Sequence, residues 1–361
     1  MKKVKLFKSV FCCLLVAVML LALGACATAP TPTPPGPDAD ADDGADADVT
    51  DVPEETGVLV IYTPFIPDTV DPILEMFYEE TGIRATAIQA GTGELLSRVR
   101  AEAANPQADI FWGGNITTTL SQAELFADFQ SINESYIPEH FRNVEGPFTR
   151  FDIATSVLMI NTEFIGDIEI RGYADLLNPE LRGRIALTDP SASASAFLHL
   201  ANKLYAMGDG DPDAGWDFVE AFLENVDGVM LPGSSAVFNG VANGEYWVGL
   251  TFDGAPQPFI QADAPVEMIH MVEGNVFDAG AVKIINNAPN RASAEAFVNF
   301  VTGQEVQDFI DIRFLRPVRQ DVTGNDVFVP LDEIRRIPAE LSDIMENRDE
   351  WLDRFRELRE G

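Results

Sequence analysis

The sequence predicts an α/β protein large enough for two domains, and three observations lead there. Short apolar runs with strand character alternate with longer amphipathic segments, the pattern of strand–helix units on a mostly parallel sheet. The chain has 361 residues, 46% of them hydrophobic, which is enough for a sizeable core. Several of the strand-like runs end in glycine, serine or threonine, the residues of strand-end loops and helix caps.

Taken in order, GVLVIYTPF (57–65) reads as a buried strand running into a loop. DPILEMFYEETG (71–82) has helical periodicity and closes on a glycine, which tolerates the left-handed turn that ends a helix. IRATAIQA (83–90) is a second strand, GTGELLSRVRAEAANP (91–106) a helix, and ADIFWGGN (108–115) a third strand ending in glycines. The pattern resumes at GRIALTDP (183–190), and DPSASASAF (189–197) then leads into the apolar, helix-like FLHLANKLYAM (197–207). Serine is a poor interior helix residue because its hydroxyl competes for backbone hydrogen bonds, but at a first turn the same hydroxyl is useful. One serine is enough for a cap, so three on alternate positions suggest a ligand at that helix end. Helices follow over AGWDFVEAFLENV (214–226) and SSAVFNGVANG (234–244), then strands over YWVGLTF (246–252), VEMIHMV (266–272) and DAGAVKII (278–285). ASAEAFVNFVTG (292–303) and QEVQDFIDI (304–312) are helical, and the tail from Pro330 is charged and helical.

The N-terminus predicts the location. MKKVKLFK is a basic n-region, and SVFCCLLVAVMLLAL is an apolar stretch too short to span a bilayer comfortably. It ends in Leu23-Gly24-Ala25-Cys26, which resembles the lipobox of bacterial lipoproteins; the resemblance implies that residues 1–26 are a signal peptide and that Cys26 carries the lipid. Cys12 and Cys13 fall in the segment to be removed, so no cysteine remains for a disulfide, a metal or a nucleophile. Residues 27–56, Pro-rich and then acidic, predict a disordered spacer. The formal charge of −34, from 58 acidic and 24 basic residues, argues against nucleic acid and against anionic lipid bound through a basic face.

Several stretches resemble a known family. GVLVIYTPF, ETGIRATAIQAGTGELLSRVRAE, ADIFWGGN, LLNPELRGRIALTDPSASAS, LPGSSAVFNGVANGEYWVGLTFDGA and AEAFVNFVTGQEVQ resemble extracellular solute-binding proteins of bacterial ABC importers, in the branch that binds ferric iron, sugar phosphates, phosphoglycerate or phosphonates. The resemblance implies a type II periplasmic-binding-protein fold: two α/β lobes joined by two crossing strands, with ligand in the cleft between them. The crossings fall near FDIATSVLMIN (151–161) and VGLTFDGAP (248–256). Lobe one is then 57–153 with a return over 255–325, lobe two is 154–254, and 326–361 is a C-terminal helical segment. The implied partners are a small anionic solute and the permease, with no cofactor, no metal, no enzymatic activity, and a monomeric, lipid-anchored, extracytoplasmic protein.

Ligands of open α/β sheets sit beyond the carboxyl ends of strands, where helix N-termini point. The donor-rich loops there supply the candidates: Tyr62 and Thr63, Thr92 and Gly93, Gly114 and Asn115, Ser156, the serines Ser191, Ser193 and Ser195, Ser234 and Ser235, and the acidic Asp253. Helix N-termini carry free N–H groups and partial positive charge, so such loops bind a phosphate or carboxylate without lysine. Asp253 would accept sugar hydroxyls or an amine, and His199, one turn past Ser195, is a further candidate. Phe65 and Trp112 are candidate walls, with core packing the stronger reading for Trp112. The ferric binders of the family use adjacent tyrosines, and here six tyrosines are scattered with no Tyr-Tyr pair, while His140 and His270 have no ligand spacing. Ferric iron is therefore the second reading. GTGELL lacks the Gly-Lys-Ser/Thr of a P-loop, and GxSxG and HExxH are missing, which disfavours those enzyme classes. A sensory subunit built on the same fold is the third reading.

Overall fold

The first sheet starts with β1 (Leu59–Thr63), whose LVIYT is almost wholly buried. In the computed structural model, residues 57–228, 230–322 and 326–360 are described, and they lie in one compact unit, Glu54–Gly361. Cys26, the apolar leader and the linker 27–56 fall outside the described residues. After β1 comes α1 (Pro67–Thr81), whose first residue is a proline with its φ already helical. Gly82, at φ 72°, ends it with an N–H donated to the Tyr78 carbonyl. The helix starts four residues earlier than the periodicity predicts, with Pro72 accommodated inside it.

β2 (Ala85–Gln89), α2 (Thr92–Ala101) and β3 (Ile110–Asn115) follow, and β1 pairs parallel to both neighbours, Ile61 opposite Ala87 and Ile110. The short α3 (Ile116–Thr119) and β4 (Phe126–Ala127) lead to β5 (Thr149–Ala154). One residue later, through Thr155, the chain enters a second sheet as β6 (Ser156–Asn161), which contains β7 (Ile185–Ala186) as well. Then come α4 (Ala194–Met207), α5 (Trp216–Val226), α6 (Ser234–Ala242), β8 (Val248–Phe252), α7 (Gln257–Gln261) and β9 (Val266–Ile269). The chain returns to the first sheet as β10 (Asp278–Ile285), and α8 (Arg291–Val301), α9 (Gln304–Ile312) and β11 (Arg316–Pro317) complete that half. α10 (Leu341–Glu346) and α11 (Arg348–Glu360) close the described chain.

Two expectations are corrected. The sheets are mixed rather than mostly parallel. β10 runs antiparallel to β3, β4 and β5, and β6 runs antiparallel to β8 and β9. The cause is the passage between sheets: β10 comes from the second sheet, so it enters the first at the carboxyl end of β3 and must run against it. The return passage lies at 270–277 rather than near 248–256, because β9 pairs with β6 in register Leu158–Ile269 and stays in the second sheet.

Each half has its own core. In the first, Leu59, Ile61, Val70, Phe77, Trp112 and Phe297 pack together, with Phe77 edge-on to Phe297 at 5.2 Å between ring centres. In the second, Phe197, Leu200, Leu204, Trp216 and Phe222 form the centre, and the tail adds Trp351, Leu352 and Phe355. Full burial of each such side chain contributes about 1.5–3 kcal/mol.

Candidate functional site

The carboxyl ends of β1, β3 and β5 and the first turn of α2 face the end of β8 and the first turns of α4 and α6 across a cleft, which joins a second space through Pro64, Phe65, Thr92, Ser193 and Ser234. The first-sheet side presents Phe65, Thr92, Gly114, Asn115 and Asp152. The opposite side presents Ser156, Ser193, Ser195, Ser234 and Phe252, and Ser235 lines the adjoining space.

Three helices point their N-termini at this cleft. α2 and α6 are preceded by Gly91 and Gly233 and have no side-chain cap. α4 is preceded by Ser193, whose Oγ accepts from the Ala196 N–H only at 3.5 Å and lies 3.1 Å from Ser195 Oγ. First-turn N–H groups and partial positive charge are thus available to a bound anion. Among the described residues, no lysine, arginine or histidine lines either space, and Asp152 is the one ionisable residue that does. The arrangement suits a small anion held by neutral donors.

The loops are held from behind. Gly113 and Gly114, at φ 108° and 70°, make a turn closed to other residues without strain. The buried Lys283 donates Nζ to the Gly113 carbonyl at 2.7 Å, and burial pushes its ammonium down to about 7. Asp278 accepts from the Thr117 N–H and hydroxyl, fixing α3 behind Asn115, and burial raises its carboxyl.

Several sequence candidates take other places. Tyr62 is fully buried in the core beside Leu95 and Phe111, with its hydroxyl donated to Glu102 at 2.8 Å; burial is the first cause that pushes it up to about 12. Thr63 Oγ1 accepts from the Phe65 N–H at 3.2 Å, which holds the turn that carries Phe65 into the cleft. Gly93 is where the two halves touch: its N–H donates to the Ala192 carbonyl at 3.3 Å, and a Cβ there would lie 2.0 Å from the Ser191 carbonyl oxygen. Ser191 turns away, bonding Asp189 at 2.6 Å and facing a separate space beneath α11. Asp253 is only 2% exposed and is no free acceptor, since Thr155 Oγ1 and Arg316 Nη2 reach it at 3.0 and 2.7 Å. His199 is buried between the Tyr173 hydroxyl and the Thr251 carbonyl, each at 2.7 Å, and burial pushes its imidazole down to about 3. Trp112 packs in the core with Phe65 and Phe151.

Sequence reading missed Asp152 and Gly280. Asp152 is 6% exposed, its Oδ1 has no hydrogen-bond partner, and its carboxyl is pushed up to about 7 by burial and then by the charge of Asp253. Gly280 on β10 makes room for it, because a Cβ there would lie 2.1 Å from Oδ1. The available signal was a carboxylate inside an apolar strand at the expected crossing.

Among the described residues, no three His, Cys, Asp or Glu side chains come together to hold a metal ion. No tyrosine among the described residues lines the cleft.

The chain is 26% identical over 277 residues to iron uptake protein A1 of Synechocystis, covering 73% of this chain and 76% of that protein. It is 28% identical over 266 residues to an uncharacterized protein of Haemophilus influenzae, covering 70% and 75%. The periplasmic binding protein AfuA of Actinobacillus pleuropneumoniae, solved with fructose 6-phosphate bound, superposes with a TM-score of 0.78 at 22% identity, covering 84% of this chain and 99% of that one. The fold is that of the two-lobed periplasmic binding proteins. The family model described as bacterial extracellular solute-binding protein matches residues 73–330. That span takes in both sheet passages and the N-termini of α2, α4 and α6, so the chain belongs to the bacterial extracellular solute-binding family.

Proposed function

We propose that the protein captures a small anionic solute, a phosphorylated or phosphonate-bearing organic molecule, and delivers it to the permease of an ABC importer. The observation that carries this is the convergence of three helix N-termini and the hydroxyls of Ser193, Ser195 and Ser234 on a cleft that no cationic side chain among the described residues lines. Such a cradle fits a tetrahedral oxyanion with several acceptors. The protein binds and releases rather than catalyses, as a monomer. Ferric iron is the reading suggested by the Synechocystis relative's name, but hard Fe(III) favours phenolate and carboxylate oxygen, and among the described residues Asp152 is the one such group lining the cleft.

Thermal shift with glucose 6-phosphate, phosphoglycerate and alkyl phosphonates, set against Fe(III)-citrate and uncharged sugars, tests the assignment. A bound solute at a hundredfold excess over its Kd stabilises the fold by roughly 2.7 kcal/mol. A shift with iron alone overturns the proposal. The leader reading belongs to the same proposal: Cys26 carries the lipid, and Cys26→Ser releases the protein from membranes into the soluble fraction. Equal membrane retention of the two forms disproves the anchor.

A further inference from the structure

We infer that the protein has a second anion site, apart from the solute cleft: the space between α2, the turn Leu120–Leu125 and α11 takes a small multivalent oxyanion held by Arg100, Arg348 and Arg356. The site stands whether or not the cleft takes the solute proposed above.

Two helix faces form it. Gly93, Ser97 and Arg100 recur at helical spacing along α2, and Arg348, Leu352 and Arg356 stand four residues apart along α11; both rows line the same space. α2 belongs to the first half, whereas Trp351, Leu352 and Phe355 fix α11 to the core of the second. The space runs along α2 as far as Arg100 in its last turn, while the solute cleft meets that helix at Thr92, its first residue. Among the described residues, none lines both the cleft and this space.

The charge balance of the chain is reversed there. Three arginines line the space against two carboxylates, Glu124 and Asp349, in a chain with 58 acidic and 24 basic residues. Arg348 is only 6% exposed, its guanidinium lies over the Phe197 ring at 5.2 Å, and its Nε has no hydrogen-bond partner. Its Nη1 reaches Asp349 at 3.1 Å, and that carboxylate, 85% exposed, lines the space as well. The edge of the guanidinium therefore meets the space while its face rests on the ring. Burial is the first cause that lowers its hold on the proton; Asp349 opposes the effect, and the charge of Arg100 adds to it. A buried cation beside a like charge, with its counter-ion out in water, is unfavourable until a further anion joins it. The other carboxylates nearby are engaged: Asp353 with Arg356, and Asp189 with Arg359 and Ser191. Arg100 is exposed and has no ion pair among the described residues. Guanidinium forks match phosphate or carboxylate oxygens in pairs, so three of them on two elements suit an anion with several oxygens and more than one charge. The formal charge of −34 opposes an anionic bilayer, which makes the occupant a free small anion.

Calorimetry and thermal shift with inorganic pyrophosphate, at constant ionic strength, test the site in the full chain. The expected result is that the parent binds pyrophosphate and that Arg348→Gln and Arg100→Gln each bind it roughly ten- to a hundredfold more weakly. Ser193→Ala, which alters the solute cleft, keeps the arginine-dependent binding. Unliganded melting reports whether Arg348→Gln folds, and Arg100→Gln, changed on an exposed face, carries the test if it does not. Neither heat nor thermal shift with the parent overturns the site, as does parent-like affinity in the arginine variants. Binding that is lost in Ser193→Ala and kept in the arginine variants places the anion in the cleft and overturns the site as well.

Discussion

Ser193 and Ser234 begin helices on the same side of the cleft, and each brings a hydroxyl and a first-turn N–H toward it. Losing one hydrogen bond to a charged group costs about 1.5–3 kcal/mol, so Ser193→Ala or Ser234→Ala weakens solute binding roughly ten- to a hundredfold. Calorimetry with the best phosphorylated probe checks this, and unchanged affinity in both variants removes the serines from the site. Arg316 acts differently, because it is the cationic partner of a carboxylate only 2% exposed. Arg316→Ala strands Asp253 and costs about 3–5 kcal/mol of stability, read from urea unfolding; a loss below about 1 kcal/mol shows that the pair is dispensable. For Asp152 the folded carboxyl titrates at about 7, above its ordinary 3.8. Stability is therefore intact at low pH and falls as pH rises through about 7, when the buried group must ionise. Asp152→Asn escapes that loss, so its melting temperature gains on the parent's between pH about 4 and about 8; parallel curves contradict the raised carboxyl. Serines at helix starts are legible in sequence because capping is local chemistry. Asp152 is not, because what makes it special is Gly280, a residue of a strand that returns from the other sheet. Asp253 was misjudged for the same reason, its partner Arg316 lying on β11.

At the scale of elements, periodicity located nearly every helix, since amphipathic spacing survives without knowledge of neighbours. Strand partners were harder. VEMIHMV was read as a strand, but only its pairing with β6 shows that the second sheet extends through Ile269. The contact between the start of α2 and the loop before α4 is also invisible to periodicity, because it depends on two backbones meeting at a glycine. Gly93→Ala places a methyl group 2.0 Å from the Ser191 carbonyl oxygen before relaxation. The two halves must part there, so the variant binds solute more weakly and scatters as a more extended particle, with melting of the unliganded form little changed. An identical scattering profile and affinity would falsify the idea that this contact limits closure. α11 brings Trp351, Leu352 and Phe355 to the second core. A chain stopped after Asn347 loses them all and melts lower, and equal melting temperatures mark the helix as an accessory.

At the scale of the whole molecule, the chain passes between its sheets at Thr155 and again at 270–277. Two passages form a natural hinge, and a solute touching both halves favours the closed arrangement. Small-angle scattering at saturating solute shows a more compact particle than without it; no change excludes hinge closure. If the solute is the anion proposed above, a cleft of neutral donors in a chain of formal charge −34 has a further consequence, in time rather than in strength. Backbone dipoles and hydroxyls act only at contact, whereas the field of the acidic surface reaches outward over a screening distance of about 8 Å at physiological ionic strength. An approaching anion is slowed by that field until it enters the cleft, and once inside it is held by groups that salt screens poorly. Raising ionic strength therefore speeds capture while leaving escape nearly constant, the reverse of what a basic receptor for the same solute would do.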